Sequence, residues 1–569
     1  MGWAETVLNF NNAVSDPNRW NTRVRIGFWI FGALAAGILA YTTRHYVNGD
    51  AIAYLDMAEA FREGLWNEAV LLGYSPGYSI LLALFEYIVP TTPLNELYSV
   101  KFFNFVIFLA AMGACDFFVH RLTDEIQVDR ERCPLPSHIV KAVVFSIFLV
   151  TSLIWVRIQI VAPDILVFIF VLLSLTALLN IKRSPDSFLG FACLGLTTGL
   201  GYVCKTFFFP FSILLFALAA LHCSSLRKAI PRILLSVGVM LILSSPVVIS
   251  QSLKAGHLSI GEVGSYNYAY YVAGEGSPVH LPKLLHSDPD VLLYDQGTLS
   301  TFPHGDPAYW AMGIKPVLNL RAQFNAIVKN VVDLITQIWA PTLVMLIWFF
   351  SQFRNAEFPN PRIRPPSVFL TLMMICLAGT GIYCLVSMEI RYVAAFLFLG
   401  FTAFVITPEY KVADFTKLNA FMIQAVLLVA FMMGMVIGFV VDQSHRALHY
   451  SAGKISHSDT FMEMIAVKDF LNDNHVGKLD KIAVFYPVNN KIYWAKMAGV
   501  RAVGEITDVE GFLQNAAIKR NEALDALKTA GFKAVVVKQP QLMNLIGEGW
   551  NKVPGASDYF VRFLSEPGP

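Results

Sequence analysis

Charge is scarce in this sequence: Asp, Glu, Lys and Arg make up 15% of 569 residues, against 55% hydrophobic ones. With a mean hydropathy of +0.54, so long a chain does not fit a soluble globular protein, and a polytopic membrane protein is expected. A surplus of one sign is lacking as well. The net charge of +2 argues neither for nor against nucleic acid, and no nucleic-acid partner is expected. No small-residue cleavage site follows the first apolar segment, so no cleavable signal peptide is expected. The seven cysteines are odd in number and none falls in 252–327 or 442–569, so no structural disulfide is expected.

What is present is a series of eleven apolar segments, at 24–43, 99–120, 139–156, 164–181, 187–204, 206–222, 231–251, 328–352, 367–387, 391–407 and 418–441. Each is about long enough to cross ~30 Å of hydrocarbon. Residues 187–222 are too long for one crossing, and Lys205 in the middle divides them into two helices. If the N-terminus is inside, every inner loop is basic, from Arg19, Arg23 and Arg25 through Lys182 and Arg183 to Lys411 and Lys417. That asymmetry puts 44–98, 157–163, Lys205, 252–327, 388–390 and everything after 441 outside. The expected fold class is a polytopic α-helical membrane protein of about 11 to 13 transmembrane helices. Its module 1–441, with outer loops 44–98 and 252–327, is followed by a small soluble α/β domain at 442–569, outside the membrane.

In that last region Lys481–Tyr486, Arg501–Ile506 and Lys533–Lys538 read as strands, with helical patterns at 489–499 and 519–531 between them. The alternation predicts a parallel sheet. Pro487-Val488-Asn489-Asn490 stands where a Gly-rich phosphate loop would follow the first strand, so no nucleotide site is expected there.

The few charges at the outer helix ends are where chemistry is expected. Asp50 opens a short Ala-rich helix from Ala51 to about Arg62, with Tyr54 one turn on. Asp56 lies about 240° round that helix and points elsewhere, yet it is kept as a substrate contact. An acid just outside a bilayer, under a roof of later loops, stands where a general base is needed. The loop continues through Tyr74-Ser75-Pro76-Gly77-Tyr78 into an apolar piece read as an interfacial helix, with Tyr78 a further substrate contact.

Asp164 follows Pro163 at the start of the fourth helix, where an acid is ordinarily a cap; a catalytic role is the alternative. Lys205 and Arg391 each sit between two apolar helices. Snorkelling to the headgroups is their ordinary explanation, and binding an anion is the other, because outer cations are few. Glu389 and Tyr392 flank Arg391 as candidate contacts. The loop 252–327 is dense in aromatics, among them Tyr266, Tyr270, Tyr271, Tyr309 and Trp310. It reads either as a lid, with Tyr309 and Trp310 on the substrate, or as an aromatic belt at the interface. Its histidines show no HxxxH or HExxH spacing. No cofactor is expected, and a divalent metal stays open.

In their order, Gly49-Asp50 with Tyr54, Ser75-Pro76-Gly77-Tyr78, Pro163-Asp164, Lys205 and Glu389-Ile390-Arg391-Tyr392 resemble the GT-C superfamily of membrane glycosyltransferases. The likeness is to the branch of protein O-mannosyltransferases and lipid A aminoarabinose transferases, over residues 24 to about 441. The resemblance implies that Asp50 is the catalytic base, and Asp164 is expected to orient the acceptor or support the phosphate site. It also implies that Arg391, aided by Lys205, binds the phosphate of a polyprenyl-phosphate sugar. The implied acceptor is a hydroxyl of a glycolipid, glycan or protein, and the implied location a bacterial inner membrane.

Ala51 stands where the O-mannosyltransferases have Glu after the acid, which argues against protein acceptors. The lack of a WWDYG signature argues against transfer of whole glycans to asparagine. Two rivals remain: a transporter or flippase of lipid-linked glycans, and a non-catalytic assembly protein that docks through its α/β tail.

Overall fold

The computed structural model describes residues 17–128, 136–276, 283–294, 313–353, 367–406, 415–451, 461–485, 492–538 and 549–564. Each of the eleven apolar segments forms a helix within those bounds. Seven helices among the described residues are long and apolar enough to cross a membrane. Four more, Phe188–Cys204, Phe208–Leu221, Ser367–Cys384 and Ile390–Ile406, have 17, 14, 18 and 17 residues. At 1.5 Å per residue they reach roughly 21–27 Å, the short end of what a crossing needs. The chain is a polytopic α-helical integral membrane protein. Its last long helix, expected to stop at 441, runs on to Ser451.

Apolar helices in a bundle are fixed by close packing and internal hydrogen bonds rather than by an amphipathic face. Phe148, Phe168 and Phe398, from three different helices, meet with ring centroids 5.3 and 5.6 Å apart. Ser236 Oγ donates to the Phe191 carbonyl at 2.7 Å and joins Leu226–Ala255 to Phe188–Cys204. At one end of the bundle the helices Ala51–Arg62 and Gly77–Ile88 lie against each other. Gly77 sits on the backbone of Val203 and Cys204, where a Cβ would come within 2.8 Å of the Val203 carbonyl. That close approach draws the loop 44–98 up to Lys205.

The described residues also form nine short strands: β1 (Gly274–Glu275), β2 (Lys283–Ser287), β3 (Asp290–Leu293), β4 (Lys315–Pro316), β5 (Lys481–Phe485), β6 (Arg501–Ile506), β7 (Ala534–Lys538), β8 (Trp550–Lys552) and β9 (Tyr559–Phe563). β1 pairs with β4, and the others form one sheet in the order β2-β3-β6-β5-β7-β9-β8. Its centre, β6-β5-β7, is parallel as expected. The outer pairs are antiparallel, so the sheet is mixed. One antiparallel pair, β8–β9, turns at Pro554-Gly555, a signal that the sequence reading passed over.

The other addition comes from far away in the chain. The loop 252–327 supplies the β2–β3 hairpin, whose Val291 pairs with Ile506 of β6. Just beyond β3, Tyr294 N donates to Val503 O at 2.7 Å and its hydroxyl to the buried Glu505 at 2.8 Å. Val291 packs among Phe512, Leu524 and Leu527, and burying such a side chain is worth about 1.5–3 kcal/mol. The loop is therefore partly built into the C-terminal domain.

Candidate active site

Two segments that carry acids are tied together before either acid is considered. Asn48, two residues ahead of Asp50, accepts from Val161 N at 2.9 Å and donates to Val161 O at 3.3 Å. Asn104 donates to Ile158 O and Ile160 O at 2.9 and 3.0 Å, and Lys101 donates to Gln159 O. The turn 157–163 is thus held by buried side chains, and Asp164 begins the helix Asp164–Arg183 immediately after it. Arg157, with φ 65, makes the sharp change of direction after the π-helix Val150–Val156.

Asp50 occupies the N-cap of Ala51–Arg62 but makes no capping hydrogen bond. Its carboxylate turns the other way. Tyr74 Oη donates to Oδ1 at 3.2 Å, and Arg391 Nη2 donates to Oδ2 at 3.1 Å. The guanidinium also stands 3.6 Å from Asp164 Oδ2 through Nη1 and 2.6 Å from Glu389 Oε2 through Nε. Lys205 Nζ donates to Asp164 Oδ1 at 2.8 Å and lies 3.7 Å from the centre of the Tyr392 ring. Lys205 and Arg391 do not reach out to solvent as snorkelling cations do, since only 22% and 14% of their side chains are exposed. Asp164 is likewise no simple cap: its carboxylate faces the two cations.

These groups line one cavity of about 500 Å³. Tyr54, Tyr74, Tyr383 and Tyr392 contribute its aromatic wall, and Phe207, Phe209, Ile382 and Val386 a more apolar side. The helix Val263–Tyr271 covers it with Tyr266, Asn267, Tyr270 and Tyr271. Gly261 brings that helix down, since at φ +124 it lies where a Cβ would meet Thr206 Cγ2 at 2.7 Å. Burial, then Tyr74 and Asp50, hold the Tyr54 phenol well above its usual range, so it stays an O–H donor at neutral pH. Burial and then Glu389 raise Tyr271 in the same direction.

Of the expected site residues, Asp50, Tyr54, Asp164, Lys205, Glu389, Arg391 and Tyr392 line this cavity. Asp56 and Tyr78 are not among its lining, which corrects their assignment as substrate contacts. Asp56 lies on the far face of its helix and pairs with Lys496 at 3.1 Å, as the 240° offset requires. Tyr78 is fully buried and donates to Asn104 at 2.7 Å, so it supports the 157–163 turn instead. Tyr309 and Trp310 fall outside the described residues.

Two tyrosines of the lining were missed as site residues. Tyr74 heads the quoted motif one position before Ser75, and Tyr383 lies near the end of the apolar helix Ser367–Cys384, stacked on Phe207 at 4.7 Å. Among the described residues no group of three or more His, Cys, Asp or Glu side chains is placed to hold a metal ion.

Three carboxylates facing two cations, walled by tyrosines, can bind an anion and take up a proton within one enclosed space. No protein-family model and no curated protein sequence matches the chain. Solved structures do. ArnT from Cupriavidus metallidurans in the apo state aligns over 95% of this chain and 98% of that one, at 13% identity and a TM-score of 0.52. The same protein bound to undecaprenyl phosphate aligns over the same shares, at 12% identity and a TM-score of 0.53. ArnT is a lipid A aminoarabinose transferase of the GT-C superfamily, and the chain described here has the GT-C fold.

Proposed function

We propose that the protein is a glycosyltransferase that moves one sugar from a polyprenyl monophosphate to an acceptor hydroxyl at the non-cytosolic face of the membrane. The observation that carries the reading is the convergence of Asp50, Lys205 and Arg391 on one cavity, with the Asp50 carboxylate 3.1 Å from the guanidinium. In this scheme Asp50 takes the proton of the acceptor hydroxyl as its oxygen attacks the anomeric carbon. The bond from that carbon to the phosphate oxygen breaks, and its electron pair leaves with the lipid phosphate. Arg391 and Lys205 stabilise the charge that gathers there, where a poorly hydrated site magnifies their effect. Displacement in one step inverts the anomeric configuration.

The contacts of Arg391 add a step. Arg391 is held by Asp50, Asp164 and Glu389, so an arriving phosphate competes with these carboxylates for the guanidinium. Donor binding thereby releases the oxygen of Asp50 that must accept the proton. The scheme uses no cofactor. The undecaprenyl phosphate bound by ArnT, a protein of the same fold, supports a lipid-phosphate donor. The basic inner loops support an N-terminus in the cytoplasm and a C-terminal domain outside, in the manner of a bacterial inner-membrane protein. A transporter would carry its charges midway along broken helices, whereas Asp164, Lys205 and Arg391 stand at helix ends.

The test is to incubate purified protein with polyprenyl-monophosphate sugars and membrane lipids and to follow release of polyprenyl phosphate by mass spectrometry. Release coupled to a new glycolipid or glycan is expected. Lack of turnover with every donor offered, with flux of a lipid-linked glycan across vesicles instead, would overturn the reading in favour of transport.

A further inference from the structure

On the face of the helix Ala51–Arg62 turned away from the cavity, Lys496 of the C-terminal domain enters between two acids. Its ammonium lies 3.1 Å from Asp56 Oδ1, 2.6 Å from Glu59 Oε2 and 3.6 Å from Glu96 Oε1, with 5% of the side chain exposed. Tyr493, on the same short helix as Lys496, donates to Glu96 at 2.7 Å. Glu96 opens the membrane helix Glu96–Val128. One cation thus answers three carboxylates contributed by two elements.

Burial works against the ammonium, but Glu96, Asp56 and Glu59 hold it charged, well above its usual range. Without it, three carboxylates would face one another where little water reaches them. Two of those acids belong to the helix whose N-cap is Asp50 and whose first turn presents Tyr54. Their repulsion from Glu96 would turn or loosen that helix.

We infer that Lys496 is a positioning residue for the transfer reaction: by gripping Asp56 and Glu59 from behind, it sets the rotation of Ala51–Arg62 that presents Asp50 to Arg391. None of the described residues of the C-terminal domain lines the cavity, so Lys496 acts on the chemistry from behind the helix and not by touching the substrate. The inference rests on the transferase reading of the site.

Three variants of the full-length protein test it. Lys496→Gln is expected to lower kcat about tenfold to a hundredfold, as a misplaced reacting group does, with the donor KM within about twofold of wild type. Lys496→Arg restores most of kcat, because it keeps the charge. Tyr493→Phe loosens the same contact without touching Ala51–Arg62, and is expected to lower the melting temperature while keeping kcat. Hydrogen exchange read by mass spectrometry should quicken over 51–62 in Lys496→Gln. Wild-type kcat and wild-type exchange in Lys496→Gln would overturn the inference, as would an equal fall in kcat for Tyr493→Phe.

If Lys496→Gln does not accumulate, Glu59→Gln removes the more exposed of the two helix acids. A fall in its kcat supports the grip, and an unchanged kcat overturns it. Should the wild type transfer no sugar at all, the transferase reading fails, and the exchange measurement still decides whether Lys496 holds the helix.

Discussion

Arg391 and Asp50 are 341 positions apart in sequence, and their side chains meet at 3.1 Å. The same guanidinium reaches Asp164 at 3.6 Å, so one planar fork joins the acids of two separate segments. Each acid is met by a different nitrogen of the plane, Nη2 for Asp50 and Nη1 for Asp164, which a single ammonium does not offer.

Arg391→Lys is therefore not conservative. It loses the separate Nη2 contact to Asp50 and Nη1 contact to Asp164 and offers the donor phosphate a point charge. Losing a charge-assisted hydrogen bond costs about 1.5–3 kcal/mol, so the donor KM should rise roughly tenfold to a hundredfold. Titration with a polyprenyl phosphate measures the change directly, and unaltered binding would remove Arg391 from the phosphate site.

Asp50→Asn keeps the side chain's shape and one oxygen for Arg391, with its NH2 facing the Tyr74 oxygen, but it cannot take a proton. We expect kcat to fall about 10²–10⁴-fold with donor binding retained. Full turnover in this variant, by the same assay, would mean that the base lies elsewhere.

Asn48→Ala removes both hydrogen bonds to Val161 in a buried place and leaves that residue's N–H and C=O unpaired. Each unpaired group costs about 1–3 kcal/mol, so a clear drop in melting temperature is expected. Transfer should suffer beyond what unfolding explains, since Asp50 and Asp164 lose their common anchor. Equal melting temperatures for variant and wild type would contradict the clamp.

Glu86, on the helix Gly77–Ile88, is buried and lies 3.6 Å from Arg62. Burial and then Glu96 raise its carboxyl from 4.5 to about 7. The folded protein therefore binds this proton more tightly than the unfolded chain, and stability from this group falls as pH rises from about 4.5 through 7. Glu86→Gln should match wild type near pH 4.5 and exceed it by about 3 kcal/mol at pH 8, at 1.36 kcal/mol per pH unit. Melting curves in detergent at the two pH values check this, and an equal difference at both would refute it.

The charged groups of the candidate site were legible because charge is so rare in this chain. Asp50, Lys205 and Arg391 each interrupt apolar sequence, where an ionisable group is costly unless it has work to do. Tyr74 and Tyr383 were harder to see, because a tyrosine near a membrane surface usually serves the interface, and nothing local marks the exceptions. Asp56 was half legible. Its angle round the helix said that it faced away, but not that Lys496, 440 positions later, would be waiting there. The central strands β5, β6 and β7 were readable from their own residues. β2 and β3 were not, because what makes them strands is an edge supplied from the far end of the chain.

That distant pairing imposes an order on assembly. Four apolar helices separate β3 from β6, so the hairpin emerges well before the strand that completes it. A chain stopped at Ser451 would leave β3 without the edge of β6 and Tyr294 without Glu505, and limited proteolysis should then cut at the β2–β3 ribbon.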